Sequence, residues 1–289
     1  MTPPAARPFA ERFRETPWTG LLTALVFAAF LYLYRGVLAA LARQWLSDEN
    51  YQHCMLVPLI SALLLYRHLK SVPDDQRGEA LPALALILPG LGLYVLGLAA
   101  AELFTMRASM LLVFWGLVVG IWGRPTFRAL RFPLLFLVFM IPLPYVIFYR
   151  AAFPLQLGSA AASAGVLEFL GMPLVRTGNI IHLGEASLDV VTACSGLRSL
   201  LALVTFGTLA AGLLPLRPWS RVLLVALAVP VAMLTNALRI ILTAILVHTS
   251  GRIFLQGALH QALGLLTFAL GVGLLFLIGG AFRWRQQSA

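Results

Sequence analysis

Charged residues are scarce in this chain. Only 11% of its 289 residues are charged and 60% are hydrophobic, whereas about a quarter of the residues of a typical soluble domain are charged. Several stretches reach the roughly 20 apolar residues needed to cross a hydrocarbon core of about 30 Å. The apolar residues extend over the whole length. The composition therefore argues against a separate soluble domain and predicts one integral, polytopic membrane domain over residues 1–289.

Metal and disulfide motifs are also missing. The two cysteines, Cys54 and Cys194, have no compact secreted module to staple together. Neither a CxxC nor an HExxH spacing occurs, and His53 beside Cys54 is too small a set for a metal site. We therefore predict no metal and no cofactor. The N-terminus also lacks the features of a cleaved secretory signal, so we expect the first span to remain attached.

About eight apolar runs are predicted to be transmembrane helices of an all-α protein. They cover residues 19–41, 52–67, 81–101, 107–123, 132–149, 196–216, 221–247 and 260–281. The second run is short and contains Pro58, so we expect it to be tilted, kinked or extended at its start.

The arginines predict the orientation. The net charge of +10 comes almost entirely from arginines in alternate short loops and at span ends, which indicates topology and not nucleic-acid binding. Basic loops remain in the cytoplasm, so with eight spans both termini are cytoplasmic. A ninth crossing at Phe153 to Leu170 would place the later arginines outside, so we interpret this segment as a re-entrant or interfacial helix on the non-cytoplasmic face. Glycine breaks and β-branched residues then predict a short extracytoplasmic hairpin within Pro173 to Ala193.

Arg239 is the most informative residue. It stands alone in the apolar run Leu223 to Val247, and a charged side chain within a bilayer costs on the order of 3 kcal/mol or more, which marks a functional site by default. A structural ion pair is the alternative, but the last three spans contain no carboxylate. Asn236 shares a helix face with Arg239 and is expected to orient its guanidinium.

Two further reactive side chains are predicted at the non-cytoplasmic ends of neighbouring spans. Cys194 lies where an extended segment meets a helix, and a helix N-terminus favours the thiolate. Arg198 follows one turn later on the same face. His260 begins the last span, at the depth that we expect for Arg239. A packing role for Cys194 and a polar-anchor role for His260 remain open.

Together these three residue types suit acyl-transfer chemistry. A histidine can take the thiol proton and return it to the leaving amine. An arginine can stabilise the thiolate or the oxyanion of a tetrahedral intermediate. His248 is the second choice for the base. His53 is predicted to face the outer side, where it could line the site, whereas Cys54 is interpreted as a packing residue.

The residues resemble those of the exosortase/archaeosortase family. The strings ACSGLRSL at 193–200 and NALRI at 236–240, with a histidine heading the final span, are similar to family motifs. Similarity extends to residues 51–67, 132–144 and 173–183, and so covers most of the chain. There are departures: Cys54 stands where the family often has glycine, and the residues after His260 lack the expected acidic residue and Gly-Trp pair.

The resemblance implies a polytopic cysteine enzyme of the bacterial inner membrane. Such enzymes act on exported proteins whose C-terminal sorting signal holds a motif such as Pro-Glu-Pro, a transmembrane helix and a basic tail. They cut near the motif outside the cytoplasm and pass the acyl group to a surface acceptor. Carried onto this chain, the nucleophile is Cys194, the arginine is Arg239 and the general base or acid is His260. A glutamate in the motif would need a cation, which Arg176, Arg198 or Arg252 could supply.

Two other classes compete with this reading. A non-enzymatic transporter or assembly factor for exopolysaccharide export predicts a polar pathway at the midplane, yet the first five spans read as nearly devoid of buried charge. A different intramembrane hydrolase would need Gly-x-Ser or paired His/Glu signals, which the sequence does not contain.

Overall fold

The computed structural model describes residues 17–69, 72, 77–184, 186–189, 196–251 and 257–288. Helices dominate these residues and are numbered in chain order: α1 Pro17–Ser47, α2 Leu56–His68, α3 Ala80–Ala99, α4 Leu103–Ala129, α5 Arg131–Phe136, α6 Tyr145–Phe169, α7 Gly196–Leu213, α8 Pro218–Ser250 and α9 Ala258–Ser288. Within this described part, five helices are long and apolar enough to cross a membrane, namely α1, α3, α4, α8 and α9. The protein is therefore an all-α polytopic membrane protein, and the count of eight spans stays a prediction.

Two predicted spans differ from the helices in the structure, one at its start and one by an internal break. The second begins with a 3-10 segment, Glu49–Met55, before the 13-residue helix α2, which agrees with an extended start. The span predicted over 132–149 is wrong as one continuous helix. Helix α5 ends at Phe136, a 3-10 segment runs over Leu137–Met140, and α6 begins only at Tyr145. Pro142 and Pro144 explain the break, because proline removes a backbone donor and disfavours helix in the preceding residue.

The chain forms two compact units, Met1–Leu143 and Pro144–Ala289. In the first unit α3 and α4 pack closely, because a Cβ on Gly90 would lie 2.7 Å from Val113 Cγ2 and one on Gly116 would lie 2.6 Å from Ile87 Cγ1. The α4 helix is interrupted at Gly123, whose φ of 80° is a left-handed conformation that favours glycine. The predicted end of the fourth span coincides with this break.

One buried charge lies in the first unit. Arg107 is the first residue of the predicted fourth span, and it lies within α4 and is only 3% exposed. Its Nη1 donates a hydrogen bond to Gln44 Oε1 on α1 at 2.7 Å. The first five predicted spans, read as nearly devoid of buried charge, therefore contain at least this buried guanidinium.

In the second unit, α8 is the central helix and packs against α6, α7 and α9. One apolar core joins α7, α8 and α9 through Leu203, Leu224 and Leu275. A second core joins α6 and α8 to the small sheet through Leu167, Ile240 and Ile181. Helix α6 starts eight residues before the predicted interfacial helix and ends within one residue of its predicted end.

The sheet confirms the predicted hairpin and adds a strand. Strands β1 Val175–Thr177, β2 Ile180–Leu183 and β3 Ala186–Asp189 form an antiparallel sheet in the order β1-β2-β3. Arg176 of β1 pairs with Ile181 of β2, and Ile181 also pairs with Leu188 of β3. Because Ile181 and Leu188 are buried against α6 and α8, the sheet is fixed to the helices beside the candidate site.

Candidate active site

Arg239 of α8 and His260 of α9 are in direct contact. Arg239 Nη2 lies 2.8 Å from His260 Nε2, and His260 is 9% exposed. A guanidinium has only donors, so Nε2 must be the acceptor. In this arrangement the imidazole is therefore neutral and carries its proton on Nδ1, an assignment that follows from the donor inventory. The predicted approach of these two residues, 21 positions apart, is confirmed.

The Arg239–His260 contact lies about one membrane thickness from the end where α8 begins and α9 ends. There, Arg217 donates its backbone N–H to Gln286 Oε1 at 2.9 Å and Gln286 donates to Ser220 Oγ at 2.6 Å, which joins the start of α8 to the end of α9. Trp219 and Trp284 at this end are 74% and 69% exposed, as interfacial tryptophans are. A helix rises 1.5 Å per residue, so Arg239 is about 30 Å from Trp219 along α8 and His260 is about 36 Å from Trp284 along α9.

The charge balance at this contact is unusual. The chain has no aspartate or glutamate after Asp189, so α7, α8 and α9 bring no carboxylate to the guanidinium. Arg239 instead donates to a neutral imidazole. A cation beside a neutral base suits the stabilisation of negative charge that develops during a reaction.

Asn236 is buried one turn before Arg239. It is 3% exposed, and in the described part of the chain neither its side-chain nitrogen nor its oxygen has a hydrogen-bond partner. Arg239 instead donates to His260, and the orienting role expected of Asn236 stays a prediction. Thr243, seven residues later, is fully buried, and its hydroxyl also has no hydrogen-bond partner among the described residues.

The other predicted residues are distributed over several elements. Cys194 and Arg252 lie outside the described residues. Arg198 is half-buried in the first turn of α7. Arg176 is exposed on β1 and donates to Gly178 O at 2.7 Å. His53 lies in the other compact unit, in the 3-10 segment before α2.

The alternative base, His248, is exposed in the last turn of α8, whereas His260 makes the contact with Arg239. His182 lies on β2 with its Nδ1 2.9 Å from Ser187 Oγ.

Gly264 is the site residue that the sequence did not reveal. It lies one turn after His260, on the same face of α9, and a Cβ there would lie 2.9 Å from Arg239 Cζ. The helical spacing of four from His260 was the available signal. It was not distinctive, because glycines are frequent in membrane helices.

The fold and this contact define a class: a polytopic membrane protein with an arginine–histidine site at one end of its helix bundle. The family model of the transmembrane exosortases matches residues 45–277, which include Arg239 and His260. The chain belongs to the transmembrane exosortase family. No curated protein and no solved structure matches it.

Proposed function

We propose that this protein is a membrane cysteine protease or transpeptidase that processes the C-terminal sorting signals of exported proteins. The contact between Arg239 and His260 carries the proposal, because it places an imidazole and a fixed cation side by side in a largely buried setting. Cys194 is the proposed nucleophile, on the family motif and on its position just before α7. The proposed location is the bacterial inner membrane, with both termini cytoplasmic.

The proposed orientation places the contact on the outer side. Arginines gather where α8 begins and α9 ends, at Arg217, Arg221, Arg283 and Arg285. By the positive-inside rule this end is cytoplasmic. The Arg239–His260 contact lies about one hydrocarbon thickness away. A scissile bond immediately outside a substrate's transmembrane helix would arrive at the same depth.

The reaction assigns one task to each group. His260 Nε2 takes the proton of the Cys194 thiol, and the sulfur attacks the scissile carbonyl carbon. Nε2 accepts a hydrogen bond from Arg239 at rest, so the guanidinium must redirect this hydrogen bond from Nε2 to the developing oxyanion as the base becomes free. Collapse of the intermediate breaks the C–N bond, and the amine leaves with the proton from His260. An acceptor nucleophile or water then attacks the thioester and gives its proton to His260. The C–S bond breaks, and the departing thiolate of Cys194 takes that proton back from His260, which restores the thiol and the neutral imidazole.

Recognition of the substrate needs a cation if its motif contains a glutamate. Of the two candidates that the structure describes, Arg198 is the better placed, because it is half-buried in the first turn of α7, two residues after the start of that helix. Arg176 is exposed on β1, and Arg252 lies outside the described part. The substrate is therefore proposed to lie along the outer end of α7.

The test is co-expression with a tagged protein that carries a Pro-Glu-Pro-type tail. Wild type should shorten the substrate, and Cys194→Ala should leave it at full length. Cys194→Ser should be close to inactive, because a hydroxyl is a much weaker nucleophile near neutral pH than a thiol. Cys54→Ala is the matched control: Cys54 is 2% exposed and is interpreted as a packing residue, so its loss should leave cleavage per folded molecule unchanged.

Unchanged processing by Cys194→Ala would eliminate the enzyme as proposed. The alternative, a transporter or assembly factor for exopolysaccharide export, predicts that polymer export fails in a deletion strain and is restored by Cys194→Ala. An enzyme that acts on sorting signals predicts that Cys194→Ala restores nothing. The two readings thus separate in one complementation experiment.

A further inference from the structure

Among the described residues, the Arg239 guanidinium is the group nearest to the side-chain position of Gly264. If a Cβ were built on this glycine, its three nearest atoms would be Arg239 Cζ at 2.9 Å, Nη2 at 3.1 Å and Nε at 3.3 Å. All three belong to the planar end of one side chain. The guanidinium thus lies flat over the place where any other residue would carry its side chain, one helical turn beyond His260.

The other glycines of α9 have different surroundings. A Cβ on Gly271 would lie 3.1 Å from both Leu203 methyl groups, and one on Gly279 would lie 2.5 Å from Leu214 Cδ1. These two positions allow close packing against apolar side chains. Gly273 has open space, since no atom lies within 4 Å of its added Cβ. Helix packing therefore accounts for Gly271 and Gly279 but not for Gly264.

We propose that Gly264 is a positioning residue, whose missing side chain allows the Arg239 guanidinium to lie against α9 and donate to His260 Nε2. The activity part of this inference rests on the proposed function, whereas the contact itself does not. Arg239 starts on a neighbouring helix, and its long side chain has many rotamers. The glycine surface restricts this choice, because only without a Cβ can the guanidinium approach the backbone of α9 so closely.

An added methyl group would move the guanidinium and leave the fold in place. Ordinary carbon contacts begin at about 3.5 Å, so Cζ at 2.9 Å would have to retreat by several tenths of an ångström. The end of an arginine side chain makes this movement at low cost. Alanine also favours helix over glycine by about 1 kcal/mol. Gly264→Ala is therefore expected to fold at least as stably as wild type.

The displacement should nevertheless impair the reaction. The hydrogen bond of 2.8 Å between Arg239 and His260 would lengthen or break, and a misplacement of about 1 Å can cost a hundredfold in rate. We expect Gly264→Ala to slow processing by about tenfold to a hundredfold. Gly273→Ala adds the same methyl group to the same helix in open space, and it should process substrate at the wild-type rate.

The contact is measured directly by solid-state NMR on protein labelled with ¹⁵N-histidine and reconstituted in lipid bilayers. The Nε2 resonance of His260 is identified by its loss in His260→Asn. In wild type it should be that of an unprotonated nitrogen that accepts a hydrogen bond. Gly264→Ala should move this resonance towards that of a nitrogen without the bond, and Gly273→Ala should not. Thermal unfolding of the same samples reports the stability of each variant.

The results separate the inference from the proposed function. A shifted resonance with reduced processing in Gly264→Ala alone supports both. A shifted resonance with no processing by wild type supports the contact and discards the proposed function. An unchanged resonance overturns the inference, whatever the rate. It is equally overturned if Gly273→Ala slows processing as much as Gly264→Ala, because the effect would then come from any methyl group on α9.

Discussion

Each compact unit contains an arginine inside a long helix. Arg107 is buried and Arg239 is half-buried, and the two also differ in what they contact. Arg107 of the first unit donates to the neutral amide of Gln44 at 2.7 Å, with Glu102 at the N-cap of the same helix. Arg239 of the second unit donates to a histidine nitrogen at 2.8 Å, in a stretch of chain without carboxylates. The first arginine links two helices through a good acceptor. The second occupies the lone pair of a potential base.

This difference shows that burial of an arginine does not by itself indicate a reaction. The cost of burying charge makes every such residue a candidate, yet Arg107 has the surroundings of a structural residue. Gln44 accepts a hydrogen bond from Nη1, and the Glu102 carboxylate at the helix N-cap adds electrostatic attraction. In the mechanism proposed for Arg239, the neutral imidazole is released before it acts, which leaves the cation available for charge that develops later. On that proposal, the hydrogen-bond partner separates a structural arginine from a catalytic one.

Arg239→Lys should have the largest effect. A lysine keeps the charge but lacks the planar fork of donors, so it cannot both reach His260 Nε2 and stabilise an oxyanion. We expect processing to fall by about a hundredfold or more, as for the loss of an oxyanion donor, with little change in thermal stability. The measurement is a pulse-chase of the tagged substrate, normalised to folded enzyme.

Arg107→Lys is the matched substitution in the other unit. It should lower the unfolding temperature while the rate per folded molecule stays near that of wild type. The comparison would fail if Arg107→Lys lost as much activity as Arg239→Lys at equal stability, since both arginines would then serve the reaction.

The contact at the site could be predicted because topology brings distant residues to one depth. Arg239 stands out in an apolar run, and His260 begins the next helix after a short connection, so both were assigned to the same interface. Gly264 could not be predicted in the same way. Its role depends on the direction in which the Arg239 side chain leaves α8, and a sequence does not specify that rotamer.

The helices were predicted where hydropathy is uniform and missed where it conceals breaks. Runs such as Ala80–Ala99 agree closely with the structure, because about 20 apolar residues have few alternatives in a membrane. The run 132–149 is equally apolar, but Pro142 and Pro144 interrupt it. The burial of Arg107 and its contact with Gln44 come from tertiary packing, which hydropathy does not report.

Gln44→Leu tests the structural arginine from its partner's side. Removal of the acceptor leaves the Arg107 Nη1 donor buried without its hydrogen bond, which costs about 1–3 kcal/mol. We expect a lower free energy of unfolding in detergent, with unchanged processing per folded molecule. Gln52→Leu is the control, because Gln52 is exposed in the 3-10 segment before α2. Equal losses in both variants would show that surface polarity, and not the Arg107 contact, accounts for the effect.

Glu102→Gln should have the smallest effect, and it depends on pH. Burial raises the pKa of Glu102, but hydrogen bonds from Thr105 and Phe104, together with the charge of Arg107, outweigh it and hold this pKa below the ordinary value of 4.5. Because the folded-state pKa is lowered, the carboxylate's contribution to stability is complete above the unfolded pKa and is lost as the pH falls through the folded one. Wild type should therefore unfold at a higher temperature than Glu102→Gln. This difference in unfolding temperature should be constant near neutral pH and shrink below about pH 4.5.

Glu79 provides the control for the direction of this pH dependence. Its pKa is lowered by the backbone N–H and the guanidinium of Arg124, far along α4 from Arg107, so Glu79→Gln should show the same direction of pH dependence. In Glu102→Gln combined with Gln44→Leu, the two losses should not add, because residues that share a partner couple. Glu102 would not compensate Arg107 if the two losses of stability added exactly. The same would hold if the difference in unfolding temperature between wild type and Glu102→Gln grew on acidification. The first unit's arginine would then lack the carboxylate partner that distinguishes it from Arg239.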